Sequence, residues 1–209
     1  MTCWKCQATA ALPTCPHCGA LQPLPPGTDH FAVLGLERRH DLTRALVDER
    51  QRELSRLVHP DRFATAAATE RRHSLLWATA VNDAAKVLRD PVKRAEYLLK
   101  LKGVDVGAEQ AGRQQVDPAF LMEVMELREE LQAAGRRHDD TRVAALAAGV
   151  RRRRDALLDE VAAGFAALGA RAEPKALEAL ARHLAVMRYY DRFLDEVAAY
   201  EETRYQEGA

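Results

Sequence analysis

Aromatic side chains are scarce, at 6% of a 209-residue chain, and there is no net charge, since 31 Lys and Arg offset 31 Asp and Glu. The first shortage works against a β-sandwich or barrel, whose strands lean on aromatic and β-branched residues. The second removes any bulk attraction to a polyanion. No cysteine follows residue 18, so thiol chemistry is confined to one local device and a disulfide-stapled miniprotein is excluded. A membrane-spanning run is also missing. Residues 7–28 carry no acidic or basic side chain apart from His17, yet Pro13, Pro16, Pro23, Pro25 and Pro26 interrupt the stretch and rule out a spanning helix. The opening residues, MTCWKCQATA, lack the basic region and apolar run of a leader. The expected compartment is therefore the cytoplasm.

What the chain has in quantity is Ala, Leu, Glu and Arg; with 47% hydrophobic and 30% charged residues it has a helix composition. Three segments differ in texture. Residues 1–27 are rich in Cys and Pro and close on the run LQPLPPGT, a stiff-linker composition. Residues 28–103 read as helices near 31–36, 41–58, 67–88 and 92–102, punctuated by Pro60 and Pro91. Residues 104–116, with Gly107 and Gly112, carry little apolar periodicity and read as a linker. Residues 117–209 read as three helices near 117–134, 138–168 and 173–206, started by Asp117-Pro118 and Glu173-Pro174 and separated at Gly135 and at the GARAEP stretch. Short connections imply antiparallel neighbours, hence a three-helix bundle. No internal repeat and no strand pattern emerges, so the expected fold is all-α.

Cys3, Cys6, Cys15 and Cys18 form two C-x2-C pairs eight residues apart. Each pair can present two thiolates to one ion, and tetrahedral zinc with four sulfurs needs no water, so the site would be closed and structural. Two disulfides are the competing reading, disfavoured in a chain without export features. Spacing alone does not separate zinc from iron. His17, between two candidate ligands, is expected to face solvent.

His59-Pro60-Asp61 follows a long helix on which Val47, Gln51, Leu54 and Val58 share one face while Arg52, Arg56 and His59 line another. A cationic stripe thus runs into the tripeptide. Read blandly, Pro60 ends the helix, His59 sits at the negative end of its dipole and the arginines are a solvated face. His and Asp two residues apart could form an acid–base dyad, but no nucleophile or Gly-rich phosphate loop accompanies them.

The segment LVHPDRF, preceded by a basic helix and followed by VNDAAKVLRDPVKRAEYLL, resembles the J domain of J-type co-chaperones. More narrowly, RAEYLLKL before Gly103, and then FLMEVMELREEL, are similar to the HscB family, the J-type co-chaperones of iron–sulfur cluster assembly. The likeness covers about residues 28–206, and the Cys-rich start is similar to the zinc-binding extension of some members. The resemblance implies a J domain at 28–103 and a scaffold-binding bundle at 117–209. It also implies that His59, Pro60 and Asp61, surrounded by Arg52, Arg56 and Arg62, dock on a DnaK/HscA-type chaperone and stimulate its ATPase, so the chain itself would not be an enzyme. One departure concerns packing. J domains of the family usually carry an aromatic where this chain has Gln51 and another where it has Ala85, so Trp77 or Leu76 is expected to refill that core.

On the first bundle helix Phe120, Val124, Leu127 and Leu131 already complete an inward stripe, while Leu121, Met122 and Met125 add apolar area beside Glu126 and Glu129. Periodicity alone favours a wide core stripe. The resemblance reverses that weighting and implies that Leu121, Met122, Met125, Glu126 and Glu129, with Tyr189, bind an IscU-type cluster scaffold. Arg151 to Arg154 are successive on a helix, so they encircle it rather than form a stripe; Glu201, Glu202, Arg204 and Glu207 read as an exposed, fraying end. A homodimer through the N-terminal extension is a further expectation. The rivals are a general J-type co-chaperone for unfolded clients, disfavoured by the absence of a Gly/Phe-rich linker after residue 103, and a zinc-ribbon nucleic-acid binder, disfavoured by zero net charge.

Overall fold

The computed structural model describes residues 1–104, 106, 116–168 and 172–208, with residues 207 and 208 described by backbone only. Outside two isolated β-bridges near the N-terminus, its regular structure is helical among the described residues. The helices are α1 (His30–Leu34), α2 (Arg44–Val58), α3 (Ala68–Leu88), α4 (Pro91–Leu101), α5 (Pro118–Arg136), α6 (Asp140–Ala167) and α7 (Pro174–Gly208), with a 3-10 turn over Pro60–Phe63. No helix among them is long and apolar enough to cross a membrane. The chain divides into two compact units, Met1–Arg94 and Ala95–Ala209.

Local side-chain chemistry sets most of the helix ends. Asp29 caps α1 by accepting the Ala32 N–H at 3.0 Å, and Gly35, at φ 63°, ends it in the left-handed region that only glycine adopts without strain. Helix α2 begins three residues later than the sequence suggests. Thr43 accepts the Leu46 N–H at 3.2 Å and takes the cap, while Asp41, the expected start, pairs with Arg39 at 2.6 Å. Asp117 and Asp139 cap α5 and α6 by accepting the Ala119 and Arg142 N–H groups, each at 2.9 Å. Gly135 does not break α5. It lies within the last turn, where the Tyr200 ring comes so close that an added Cβ would stand 3.2 Å from it.

In the first unit α2 and α3 form a hairpin whose core contains Phe31, Leu34, Val47, Val58, Trp77 and Val81. Of the two residues expected to refill that core, Trp77 is buried and Leu76 is 49% exposed. Gln51 replaces a ring with polar links, donating to Asn82 Oδ1 at 3.0 Å and accepting from Arg89 at 2.6 Å, while Arg89 also grips Asp48 at 2.6 Å. The second unit packs α5, α6 and α7 around Leu131, Val143, Val150, Tyr190, Phe193 and Val197. Glu130 with Arg142 joins α5 to α6, and Arg128 with Glu196 joins α5 to α7.

His40 carries a pH dependence. It is buried, and its Nε2 lies 3.1 Å from the Pro91 carbonyl. Burial, assisted by the nearby Arg94 charge, depresses its pKa, against the Pro91 hydrogen bond and the Asp41 charge. The unfolded chain, whose histidine titrates near about 6.5, therefore takes up the proton first as pH falls. Stability is fully present above that value and is lost on acidification through the lower folded value. Thermal unfolding between neutral and mildly acidic pH should show a falling midpoint for the first unit, and His40→Asn should flatten the slope; an unchanged slope would remove His40 as its source.

Candidate functional site

The N-terminal knuckle is built twice over from one pattern. In the first half Cys3 N–H bonds to Ala8 O at 2.8 Å and Gln7 N–H to Cys3 O at 3.1 Å; in the second Cys15 N–H bonds to Ala20 O and Gly19 N–H to Cys15 O, both at 2.9 Å. The bridges Thr2–Thr9 and Thr14–Leu21 close the two loops. The repeat, C-x2-C-x-Ala, is short enough to escape a search for longer periods. All four Sγ atoms lie within 4.8 Å of one another, with Cys3–Cys18 and Cys6–Cys15 both at 3.7 Å. A disulfide needs about 2.05 Å, whereas the edge of a tetrahedron with metal–sulfur bonds of about 2.3 Å is about 3.8 Å. The residues fit a tetrahedral ion, and His17 is exposed as expected.

Proton affinities in the cluster are split. Burial raises the Cys3 thiol, but the backbone N–H groups of Cys6 and Lys5, then the Cys6 and Cys18 thiols, outweigh it and bring it down to about 6. Cys6 is helped to ionise by the Ala8 backbone, yet the Cys18 thiol, burial, and the Cys3 and Cys15 thiols push it up to about 12. Four thiols this close cannot all ionise without a cation among them, so metal uptake must release protons.

The extension does not hang from a free linker. Ala20, Leu21 and Gln22, in or beside the proline-rich run that reads as a spacer, are buried. Leu21 O lies 3.2 Å from His73 Nδ1 and accepts from Trp4 Nε1 at 2.8 Å; Gln22 O accepts from Trp77 Nε1 at 2.8 Å. Lys5 pairs with Glu70 at 3.2 Å, and the Trp4 and His73 rings meet edge to face at 5.7 Å. Glu70, His73 and Trp77 follow helical spacing, so one stripe of α3 receives the knuckle. The sequence analysis named Trp77 only as a core residue and did not single out Glu70 or His73; the signal available was that 3-and-4 spacing with a tryptophan at its end.

His59 stands where α2 stops. Pro60 opens the 3-10 turn, and the Asp61 N–H donates to His59 Nδ1 at 3.3 Å. In the neutral ring this leaves the proton on Nε2, ready to donate to a visitor. The Asp61 carboxylate lies 3.5 Å from Nδ1. Both side chains face outward, His59 56% and Asp61 90% exposed. The turn is braced from behind: Ser74 Oγ, buried in α3, donates to the Val58 carbonyl at 2.6 Å. Arg62 turns back to donate to Arg56 O at 2.7 Å. Two carbonyls of the last turn of α2 are thus satisfied by side chains, while Arg52, Arg56 and Arg62 keep exposed surfaces.

On α5 the inward stripe is as expected, with Val124 and Leu131 buried and Phe120 and Leu127 half-buried. Met122 and Met125 stand outside it, 64% and 61% exposed, next to exposed Glu126 and Glu129. Leu121 is half-buried between the two surfaces. Tyr189 of α7 joins through Phe120, whose ring meets it edge to face at 5.9 Å. Beside this face Glu123, Glu126, Glu129 and Glu130 line an acidic groove of about 490 Å3 with Leu127 and Arg153.

Comparison with known proteins decides the family. A co-chaperone protein HscB homolog of Burkholderia multivorans is 39% identical over 171 residues, 81% of this chain and 92% of its own length. The homolog of Burkholderia vietnamiensis is 38% identical over the same shares. The chain belongs to the HscB co-chaperone family. The HSCB C-terminal oligomerisation domain matches residues 116–198. The crystal structure of human co-chaperone protein HscB superposes with a TM-score of 0.80 at 28% identity, covering 96% of this chain and 98% of that one. Chaperone HscB from Vibrio cholerae gives 0.70 at 30% identity, covering 84% and 98%.

The remaining charged runs of this HscB-family chain differ in what they contact. Arg153 pairs with Glu123 on α5 and Arg154 with Asp191 on α7, so two members of the arginine run reach neighbouring helices; Arg151, Arg152 and Arg153 are exposed and Arg154 is half-buried. Arg204 is not part of a loose end. It sits 3.6 Å from Asp140, which also accepts from Tyr200 Oη at 2.7 Å. Glu201 and Glu202 are exposed as expected, and the side chain of Glu207 lies outside the described residues.

Proposed function

We propose that this HscB-family chain captures an IscU-type iron–sulfur cluster scaffold on the outer face of α5 and presents it to a DnaK/HscA-type chaperone, whose ATPase it stimulates. His59, Pro60 and Asp61 form the contact that triggers hydrolysis, with Arg52, Arg56 and Arg62 speeding encounter with an acidic partner. Leu121, Met122, Met125, Glu126, Glu129 and Tyr189 grip the scaffold. No bond is made or broken on this chain; it biases the conformational equilibrium of the chaperone. It works in the cytoplasm, where thiols stay reduced.

The observation that carries this reading is the outward exposure of His59 and Asp61 on a turn already fixed by Pro60 and braced by Ser74. Little ordering entropy is then lost on docking. Zinc, held by Cys3, Cys6, Cys15 and Cys18, supplies a structural cross-link and no reaction chemistry. A homodimer through the extension finds less support, because the Trp4 side of the knuckle is spent on α3 of its own chain. A steady-state ATPase assay with the chaperone, with and without scaffold, tests the proposal. Stimulation by this chain, increased by scaffold, is the expected result; no stimulation under either condition would refute it.

A further inference from the structure

One buried side chain joins the cysteine cluster to the core of the helical hairpin. Gln22 is fully buried. Its Nε2 donates to Cys3 Sγ at 3.3 Å and to Ala20 O at 2.7 Å, and its Oε1 accepts from the Trp4 N–H at 3.4 Å. Its backbone N–H bonds to Pro13 O at 2.8 Å, and its backbone carbonyl accepts from the Trp77 indole, also at 2.8 Å. Every polar group of the residue is used. A connected path therefore runs from Cys3 Sγ, one of the four clustered sulfurs, through the amide and main chain of Gln22, to Trp77 in the centre of the hairpin. One helical turn from Trp77 is Ser74, whose hydroxyl holds the carbonyl at the end of α2.

We propose that Gln22 is the positioning residue of the metal centre and the coupler through which metal loading is transmitted to α3. An ion held by the four sulfurs would cross-link the two halves of the knuckle and fix Cys3 Sγ where Gln22 Nε2 meets it. Loading thus holds residues 20–22 against α3 and keeps Trp77 partnered. Loss of metal frees Cys3 to move away from Gln22 and loosens the strap from the helix that braces the His59 turn. Neither the length of the C-x2-C spacers nor the choice of ligands requires a glutamine here. A leucine would fill the space of Gln22 and keep its carbonyl, but would leave the sulfur without its side-chain donor.

The inference rests on the reading of the four cysteines as a metal site, so the test measures bound metal directly. The full chain is loaded with cobalt(II), whose sulfur-to-metal charge-transfer band reports the thiolates. Gln22→Leu should release cobalt to a chelator about tenfold faster or more, within the range usual for lost hydrogen bonds to ligands, and should move the band to lower energy because Cys3 loses a donor. Trp4 and Trp77 are the two tryptophans of the chain, so in Trp4→Phe the emission reports Trp77 alone. Stripping the metal from that variant should shift its emission to the red and raise hydrogen exchange in α3. This second measurement does not depend on the folding of Gln22→Leu. Wild-type release and an unmoved band in Gln22→Leu would overturn the positioning role; emission and exchange indifferent to metal would overturn the transmission. A wild-type chain that takes up no cobalt would overturn the metal reading together with the inference.

Discussion

Replacing His59 with Gln should return the ATPase of the partner chaperone to its unstimulated rate while leaving scaffold affinity unchanged. Glutamine keeps a polar side chain of similar reach but has no ring. It cannot accept the Asp61 N–H at the Nδ1 position while holding a second nitrogen rigidly in line behind it, as the imidazole does. The docking contact then lacks its preset donor, and the entropy of arranging one has to be met during binding. Folding should hardly notice, because the side chain is more than half exposed and the brace on the turn, Ser74 to Val58, is untouched. The check is an ATPase titration beside a scaffold-binding isotherm on the same protein, with circular dichroism confirming the fold. Equal loss of both activities would contradict the division of labour between the two units.

Met122→Ala with Met125→Ala should weaken scaffold binding by about 2 kcal/mol or more, roughly thirtyfold in Kd, if these side chains are desolvated anchors. Their exposure makes the experiment clean. Truncating side chains that lie outside the bundle seam removes little that holds the helices together, so the unfolding free energy should stay within about 0.5 kcal/mol of the parent. Leu121 is a poorer probe, since it is half-buried and its loss would mix binding with packing. Calorimetry of the variant with the scaffold decides the matter. Unaltered affinity would reduce the pair to exposed methionines without a partner.

The helices were legible to within about three residues because their ends are chemical. Asp117 before Pro118 and Pro91 after Asp90 announce themselves in one dimension. The error at α2 has the same origin: Asp41 and Thr43 are both good caps, and only the nearby Arg39 takes Asp41 out of the competition. The functional turn was legible for a related reason, a proline that fixes its own backbone between two polar residues. The partners of Gln51 were not, because Asn82 and Arg89 come from another helix and no local pattern announces a polar link where a ring is usual. Arg153 and Arg154 were legible as pointing in different directions, but that they reach Glu123 and Asp191 depends on how three helices assemble.

The sequence by itself determined the all-helical class, the four-sulfur cluster and the stiff corner at His59-Pro60-Asp61. Each of these is written in spacings of a few residues, where backbone geometry leaves little choice. Only the tertiary structure decided that Met122 and Met125 lie outside the seam, and that Leu21 and Gln22, at the start of the proline-rich stretch, are held against α3 rather than opening a free spacer. Burial is a property of what arrives from elsewhere in the chain. A glutamine between a cysteine sulfur and an indole looks like any other surface residue until both of its neighbours, Cys3 and Trp77, are brought to it from 19 and 55 positions away.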